Sequence, residues 1–305
     1  MGRRKKGRKV SGWIILDKPV GLTSTHAVSR VRRMFDAQKA GHAGTLDPLA
    51  SGVLPLALGE ATKTVPFVMD GEKRYLFTVR WGIETSTDDT EGEPVATSDE
   101  RPDEEAILSV LPQFTGTIDQ VPPAFSAKRI DGERAYDLAR DGEVVELEPS
   151  QITIHDLVYL GSPDEDQAMF EAYCGKGTYV RALARDLGRA LGTRGHVTSL
   201  RRTCVGPFDE HSTVTLDQIE ALEGPEARDA LLAPMAQALN ALHEIPVRAG
   251  DAAKLRRGMS LLVRGPQAPA HGEEAYAMDG DELVAIGHID YGKFLPKRVI
   301  VPDVV

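Results

Sequence analysis

A carboxylate held in a glycine-bracketed turn is the feature of this 305-residue chain best suited to chemistry. The run Gly41-His42-Ala43-Gly44-Thr45-Leu46-Asp47-Pro48-Leu49-Ala50-Ser51-Gly52-Val53-Leu54 sets Asp47 before a proline, five residues after His42 and ahead of an apolar stretch. An Asp before Pro is often only a turn former. The same carboxylate, once positioned, can also act as nucleophile or base, and spacing alone leaves both readings open. Other signatures fail. Gly175-Lys176-Gly177-Thr178 resembles the end of a phosphate-binding loop, but the first glycine that loop needs upstream is missing. His271-Gly272-Glu273 resembles the start of a zinc deaminase site, yet both cysteines, Cys174 and Cys204, lie upstream of it. There is no Gly-x-Ser-x-Gly elbow and no readable metal cluster.

The elements that must carry this turn follow from periodicity. Trp13 to Leu16 reads as a short strand stopped by Pro19 and Gly21, and Thr23 or Ser24 caps a helix with an apolar stripe of Val28, Val31, Met34 and Phe35. Residues 75–81 alternate, with Tyr75, Phe77, Val79 and Trp81 on one face of a half-buried strand. Residues 84–105 are acidic and rich in Thr and Ser, which predicts a loop, and a short helix follows over about 103–111. Pro122-Pro123-Ala124-Phe125 is extended, because a residue before proline is pushed out of the helical region. Residues 152–159 and 168–174 are strand candidates. A second helix begins at Thr178, with Val180, Leu183, Ala184, Leu187 and Leu191 as its buried stripe and Arg181, Arg185 and Arg189 on another face; a strand over 196–202 follows. From about Ile245 short strands with Gly turns suggest a separate β-rich unit. The fold class is α+β.

Net charge is −10, which taken as an average argues against a nucleic-acid binder. The charge is segregated, however. Residues 1–81 carry a net +9, 82–172 carry −18, 173–208 carry +6 and 209–305 carry −7. The expectation is that the two basic blocks meet around Asp47 and that the acidic surface faces away. Two cysteines are too few for a disulfide framework and fit a reducing cytoplasm, no apolar run approaches a membrane span, and the run after the basic start is too short for an export signal.

The stretch 41–54, with Leu16-Asp17-Lys18-Pro19, Gly21-Leu22-Thr23-Ser24 upstream, resembles bacterial tRNA pseudouridine synthases of the TruB type. The resemblance continues through Lys73-Arg74-Tyr75, residues 121–128, Gly175-Lys176-Gly177-Thr178-Tyr179-Val180-Arg181 and Leu200-Arg201-Arg202, in the expected order over about residues 11–215. It implies a catalytic domain with a mixed, mainly antiparallel sheet and flanking helices over 11–243, a basic flexible tail over 1–10, a mobile RNA-binding loop over about 122–149, and a PUA-like RNA-binding domain over 244–305. It implies isomerisation of uridine in the TΨC loop of tRNA, at position 55 of the tRNA, with neither cofactor nor metal.

By the same resemblance Asp47 is the catalytic aspartate, Arg181 its partner, and Tyr75 the aromatic that stacks on the flipped base. Tyr179 and Leu200 line the uracil pocket, and His42 fills the space the nucleotide leaves. Without the resemblance these are, respectively, a member of a solvated basic helix face for Arg181, core residues for the tyrosines and Leu200, and a loop histidine for His42. Arg30, Arg32, Arg33, Lys63, Lys128, Arg129, Arg201 and Arg202 are candidates for RNA backbone contacts. The implied partner is the T-arm stem-loop of tRNA, the implied state a cytoplasmic monomer away from membranes. Rival readings are a non-catalytic RNA-binding or RNA-folding protein on the same scaffold, the catalytic subunit of a guide-RNA complex, and a carboxylate-dependent hydrolase, for which no matched block supplies a second carboxylate.

Overall fold

The computed structural model describes residues 7–126, 128–130, 133–134, 147–265 and 268–303. Most of the expected RNA-binding loop over 122–149, and the first six residues of the basic tail, lie outside the described residues. Among those described, nine strands form one sheet. Its main order is Gly12–Lys18, Ala50–Leu58, Gly195–Val205, Lys73–Trp81, Gln167–Cys174, Ser150–Asp164, Gly116–Gln120, with Ala40–His42 paired to Ala50–Leu58 and Phe208–Asp209 to Gly195–Val205. The pairing of Gly195–Val205 with Ala50–Leu58 is parallel and the others are antiparallel. The mixed, mainly antiparallel expectation holds.

Strand burial follows side-chain alternation. In Lys73–Trp81 the odd positions Tyr75, Phe77, Val79 and Trp81 are buried, while Arg74 and Arg80 are exposed. Gly12–Lys18 is apolar on both faces because each face is covered: Ile14 and Leu16 enter the main core, and Trp13 and Ile15 enter a second cluster with Val205 and Phe208. Helix Ser24–Met34 is capped by the Thr23 hydroxyl, which accepts from the His26 amide, and buries Ala27 and Val31. Helix Val180–Ala190 lays Val180, Leu183, Ala184 and Leu187 on the sheet. Its Arg181 and Arg185 are buried as well, so the expected basic face is interior at these two positions.

The predicted acidic loop contains a hairpin, Ile83–Thr85 with Pro94–Thr97, and then helix Glu104–Val110, whose Asp103 caps the Ala106 amide. The acidic block does not simply face away. Glu84 meets Arg189, Asp88 meets Arg185 and Asp89 meets Arg181. The basic tail is corrected in part: Arg8 donates to both Asp229 carboxylate oxygens and to the Phe35 carbonyl, so the chain is anchored from there.

A second sheet, in the order His243–Pro246, Glu274–Asp279, Glu282–Asp290, Lys293–Val299, Leu261–Leu262, packs helix Ala249–Arg256 against a core of Ile245, Ala252, Leu255, Val284 and Phe294. Its other face, with Tyr276, Leu283, Ile286 and Ile300, packs on Phe67 and Met235 of the larger unit. Lys63 and Arg298 close this seam: Lys63 Nζ donates to the Val299 carbonyl at 2.7 Å, and Arg298 donates to the Lys63 carbonyl while lying over the Phe67 ring. Among the described residues no helix is long and apolar enough to cross a membrane.

Candidate active site

The turn carrying Asp47 is braced from three directions. Ser24, at the start of its helix, holds the Leu46 peptide at both ends: its hydroxyl accepts from the Leu46 amide at 2.8 Å and donates to the Leu46 carbonyl at 3.0 Å. Lys18, fully buried, donates to the carbonyls of Leu22 at 2.7 Å, Pro19 at 2.9 Å and Pro48 at 3.5 Å. Burial pulls the Lys18 amine down to about 8, with Asp47 opposing that shift.

Arg202 supplies the third brace. It pairs directly across from Tyr75 and is 1% exposed, and it donates to the carbonyls of Val53 at 2.9 Å, Gly44 at 3.1 Å and Thr45 at 3.3 Å. The expectation of an RNA phosphate contact at Arg202 is therefore corrected: its charge is spent inside the protein on the Asp47 turn. Gly52 makes that approach possible. Its φ is +98°, and a Cβ there would lie 2.2 Å from the Arg202 carbonyl oxygen.

Asp47, with 35% of its side chain exposed, forms an ion pair with Arg181, whose Nε lies 2.9 Å from Oδ2. The remaining guanidinium nitrogens face inward. Nη1 donates to the Thr87 carbonyl at 3.0 Å and lies 3.5 Å from Asp89 Oδ2, and Nη2 donates to the Phe125 carbonyl at 2.9 Å. Asp89 is itself fixed, its Oδ1 accepting from the Thr87 hydroxyl and the Glu91 amide. A planar donor held at each edge has little freedom to rotate, so Asp47 meets a guanidinium of set orientation.

Tyr75 and Leu200 lie on the same face of neighbouring strands, two positions apart, since Tyr75 opposes Arg202 and Leu200 opposes Phe77. Both are buried beneath the Asp47 turn, and Leu200 also pairs with Ala50 at its end. Burial raises the Tyr75 phenol above its ordinary value, against the opposing charge of Arg202, which keeps it protonated at neutral pH. Tyr179 caps helix Val180–Ala190, and the Gln120 side chain clamps its backbone, accepting from the amide at 2.9 Å and donating to the carbonyl at 3.1 Å. His42 is pushed toward its neutral form by burial and by Arg202, and among the described residues its Nδ1 is buried without a hydrogen-bond partner.

The other basic candidates scatter. Arg32 and Arg33 are exposed on helix Ser24–Met34, and Arg30 pairs with Glu220. Lys63 serves the seam between the sheets, Lys128 donates to the Glu148 carbonyl and the Ser150 hydroxyl, and Arg201 is shared by Asp17 and Glu210. The Arg129 side chain lies outside the described residues. Lys18, Ser24, Asp89 and Gln120 also build the site, although none of them was expected there from the sequence. Among the described residues there is no group of three or more His, Cys, Asp or Glu side chains placed to hold a metal.

The family model described as TruB family pseudouridylate synthase (N terminal domain) matches residues 32–180, and that described as tRNA pseudouridylate synthase B C-terminal domain matches residues 181–240. The chain belongs to the TruB family. Among curated TruB-family relatives, it is 58% identical over 303 residues to a tRNA pseudouridine synthase B of Bradyrhizobium diazoefficiens, spanning 97% of this chain and 87% of the relative. It is 57% identical over 304 residues to that of Agrobacterium fabrum, spanning 97% and 96%. Of solved structures, a chain in the crystal structure of a Cbf5-Nop10-Gar1 complex matches with a TM-score of 0.71 at 26% identity, over 96% of this chain and 85% of that one. The second TruB model, from residue 181, takes in helix Val180–Ala190 but for its first residue, which packs on the nine-stranded sheet, and strand Gly195–Val205, which lies within that sheet. Both halves of the TruB match therefore contribute to one site, Asp47 from the first and Arg181 from the second.

Proposed function

We infer that this chain isomerises uridine to pseudouridine in tRNA, at the TΨC-loop uridine of position 55, with Asp47 as the reacting carboxylate. The reaction breaks the N1–C1′ bond, turns the uracil while it stays bound and forms the C5–C1′ bond; C5 gives up its proton and N1 ends protonated, so base and sugar are both retained and the product is an isomer. The observation that carries the reading is the 2.9 Å Arg181–Asp47 pair at the open edge of a site floored by Tyr75 and Leu200. A partly exposed carboxylate reaches the ribose or the base, and a buried guanidinium fixes its direction of attack or proton abstraction. Tyr75 offers a neutral aromatic surface for the extruded base, where stacking is worth about 1–3 kcal/mol, against an extrusion cost of a few kcal/mol. Tyr179 borders the base, and His42 takes the space the base vacates.

The T-arm is the partner this reading requires. Arg32 and Arg33 are exposed for backbone contact, and the second sheet, docked at 243–299, acts as a PUA-like RNA-binding domain in a monomeric, cytoplasmic enzyme. Incubation with unmodified tRNA followed by pseudouridine mapping tests the reading. Product at position 55 in the wild type and none with Asp47→Asn, whose tRNA affinity stays within a few-fold, is the expected result. Full turnover by Asp47→Asn, or product at another loop, would overturn it.

A further inference from the structure

Arg185 follows Arg181 by one helical turn, and the two guanidinia reach the same two segments. Arg181 holds the turn at 87–89 through the Thr87 carbonyl and Asp89, and the segment at 121–125 through the Phe125 carbonyl. Arg185 repeats this one turn on: Nη1 donates to Asp88 Oδ2 at 3.0 Å, and Nη2 donates to the Val121 carbonyl at 2.8 Å. Asp186 fixes its remaining edge, with Oδ1 2.8 Å from Nε. Both guanidinia are buried, and Asp88 and Asp89 are buried with them. Asp88 adopts a left-handed backbone, φ 59°, uncommon outside glycine, and this reversal lets adjacent carboxylates serve different arginines. Its own carbonyl accepts from the Val197 amide, tying the turn to the central strand.

We propose that Arg185 and Asp88 form a positioning pair for the reaction. Arg185 does not touch Asp47; it fixes the two segments whose carbonyls and carboxylate hold Nη1 and Nη2 of Arg181, and so sets the direction in which Arg181 Nε presents to Asp47. Each segment is thereby fastened at two points by one rigid helix, and loss of the lower fastening loosens each about its remaining ties. The loosening moves the Arg181 plane, and with it the carboxylate. The inference rests on the assignment of Asp47 as the reacting group.

Single-turnover isomerisation of tRNA, with tRNA affinity and thermal unfolding measured in parallel, tests it. Because small misplacements near a reacting centre are costly, Arg185→Gln is expected to slow the step by about tenfold to hundredfold, with affinity changed by less than about threefold. Arg185→Lys restores only part of the rate, since one ammonium lacks the fork that spans Asp88 and Val121. In an Arg181→Lys background, Arg185→Gln should cost less than about twofold more, because its effect runs through Arg181. A rate within about twofold of wild type, a loss matched by lost affinity, or full additivity with Arg181→Lys would each overturn the proposal. If Arg185→Gln fails to fold, the near-isosteric Asp88→Asn carries the same rate, affinity and additivity comparisons. Asp47→Asn separates the two claims: activity in that variant sinks the assignment of Asp47, whereas an inactive Asp47→Asn beside an unimpaired Arg185→Gln sinks this inference alone.

Discussion

Replacing Arg202 by Met keeps most of the side-chain length and removes the guanidinium that ties Gly44, Thr45 and Val53 to the strand beneath them. Three carbonyls lose a charge-assisted donor in a place where the arginine left almost no room for water. Each buried acceptor left unmet costs about 1–3 kcal/mol, partly offset because a buried charge is removed at the same time. A net loss of about 3–5 kcal/mol follows. At about 2 °C per kcal/mol for a chain this long, the unfolding midpoint falls by about 6–10 °C. The single-turnover rate falls as well, because the Asp47 turn is freed on one side. Affinity for tRNA keeps its salt dependence. A phosphate-contacting arginine predicts the reverse, namely an unchanged midpoint, an unchanged rate at saturating tRNA, and a log–log salt slope reduced by about one. Calorimetry with binding titrations at several salt concentrations distinguishes the two, and that reverse pattern would refute the brace.

Gly52→Ala should be more damaging than its single methyl suggests. A Cβ 2.2 Å from the Arg202 carbonyl, added to a left-handed backbone, must separate the parallel pair of strands, and soluble yield together with the unfolding midpoint reports it. Asp88 lies against Arg185, Arg181, Glu84 and Asp186, and burial raises its carboxyl to about 6. Because the folded value lies above the unfolded one, the folded state holds the extra proton between about pH 4 and 6, so this group's contribution to stability falls as pH rises through that window. The midpoint of wild type minus that of Asp88→Asn should shrink from pH 5 to pH 7.5; a growing difference would contradict the assignment. Lys18 behaves oppositely. With its amine lowered to about 8, wild type gains stability relative to Lys18→Met as pH rises from 8 toward 10, checked by the same pair of melts. Arg32→Gln with Arg33→Gln should reduce the salt slope of tRNA binding by about one to two and leave the saturated rate unchanged, as read by filter binding and single turnover.

Local periodicity made much of the framework legible. The alternation at Tyr75, Phe77, Val79 and Trp81 located a strand and its inner face, and Thr23 announced the helix it caps. The same alternation carried the information missed at Arg202: if Leu200 is an inward residue of a strand, Arg202 shares its face and Arg201 does not, which is the arrangement seen. The charge blocks were a weaker guide because charge counts say nothing about pairing. Arg181, Arg185 and Arg189 look solvated until Asp89, Asp88 and Glu84, about 100 residues earlier, are folded onto them. That juxtaposition is set by where the hairpin of 83–97 packs beside strand Gly195–Val205, a non-local fact with no local signal. The brace from Lys18 is partly of the same kind: its amine meets the local Pro19 and Leu22 carbonyls, but it reaches the Asp47 turn only where the chain returns at Pro48.

Strand Gly195–Val205 threads between Ala50–Leu58 and Lys73–Trp81, elements synthesised more than a hundred residues before it. A ribosome-bound chain that has emerged only through the hairpin of 83–97 therefore possesses Asp47 but neither Arg181, which pairs with it, nor Arg202, which braces its turn. Closing that long loop is slow compared with local folding, and the site is complete only after the central strand is captured. A chain that ends before that strand lacks the middle of the sheet on which the site is built, so the order of the strands makes the site one of the last parts of the larger unit to be completed.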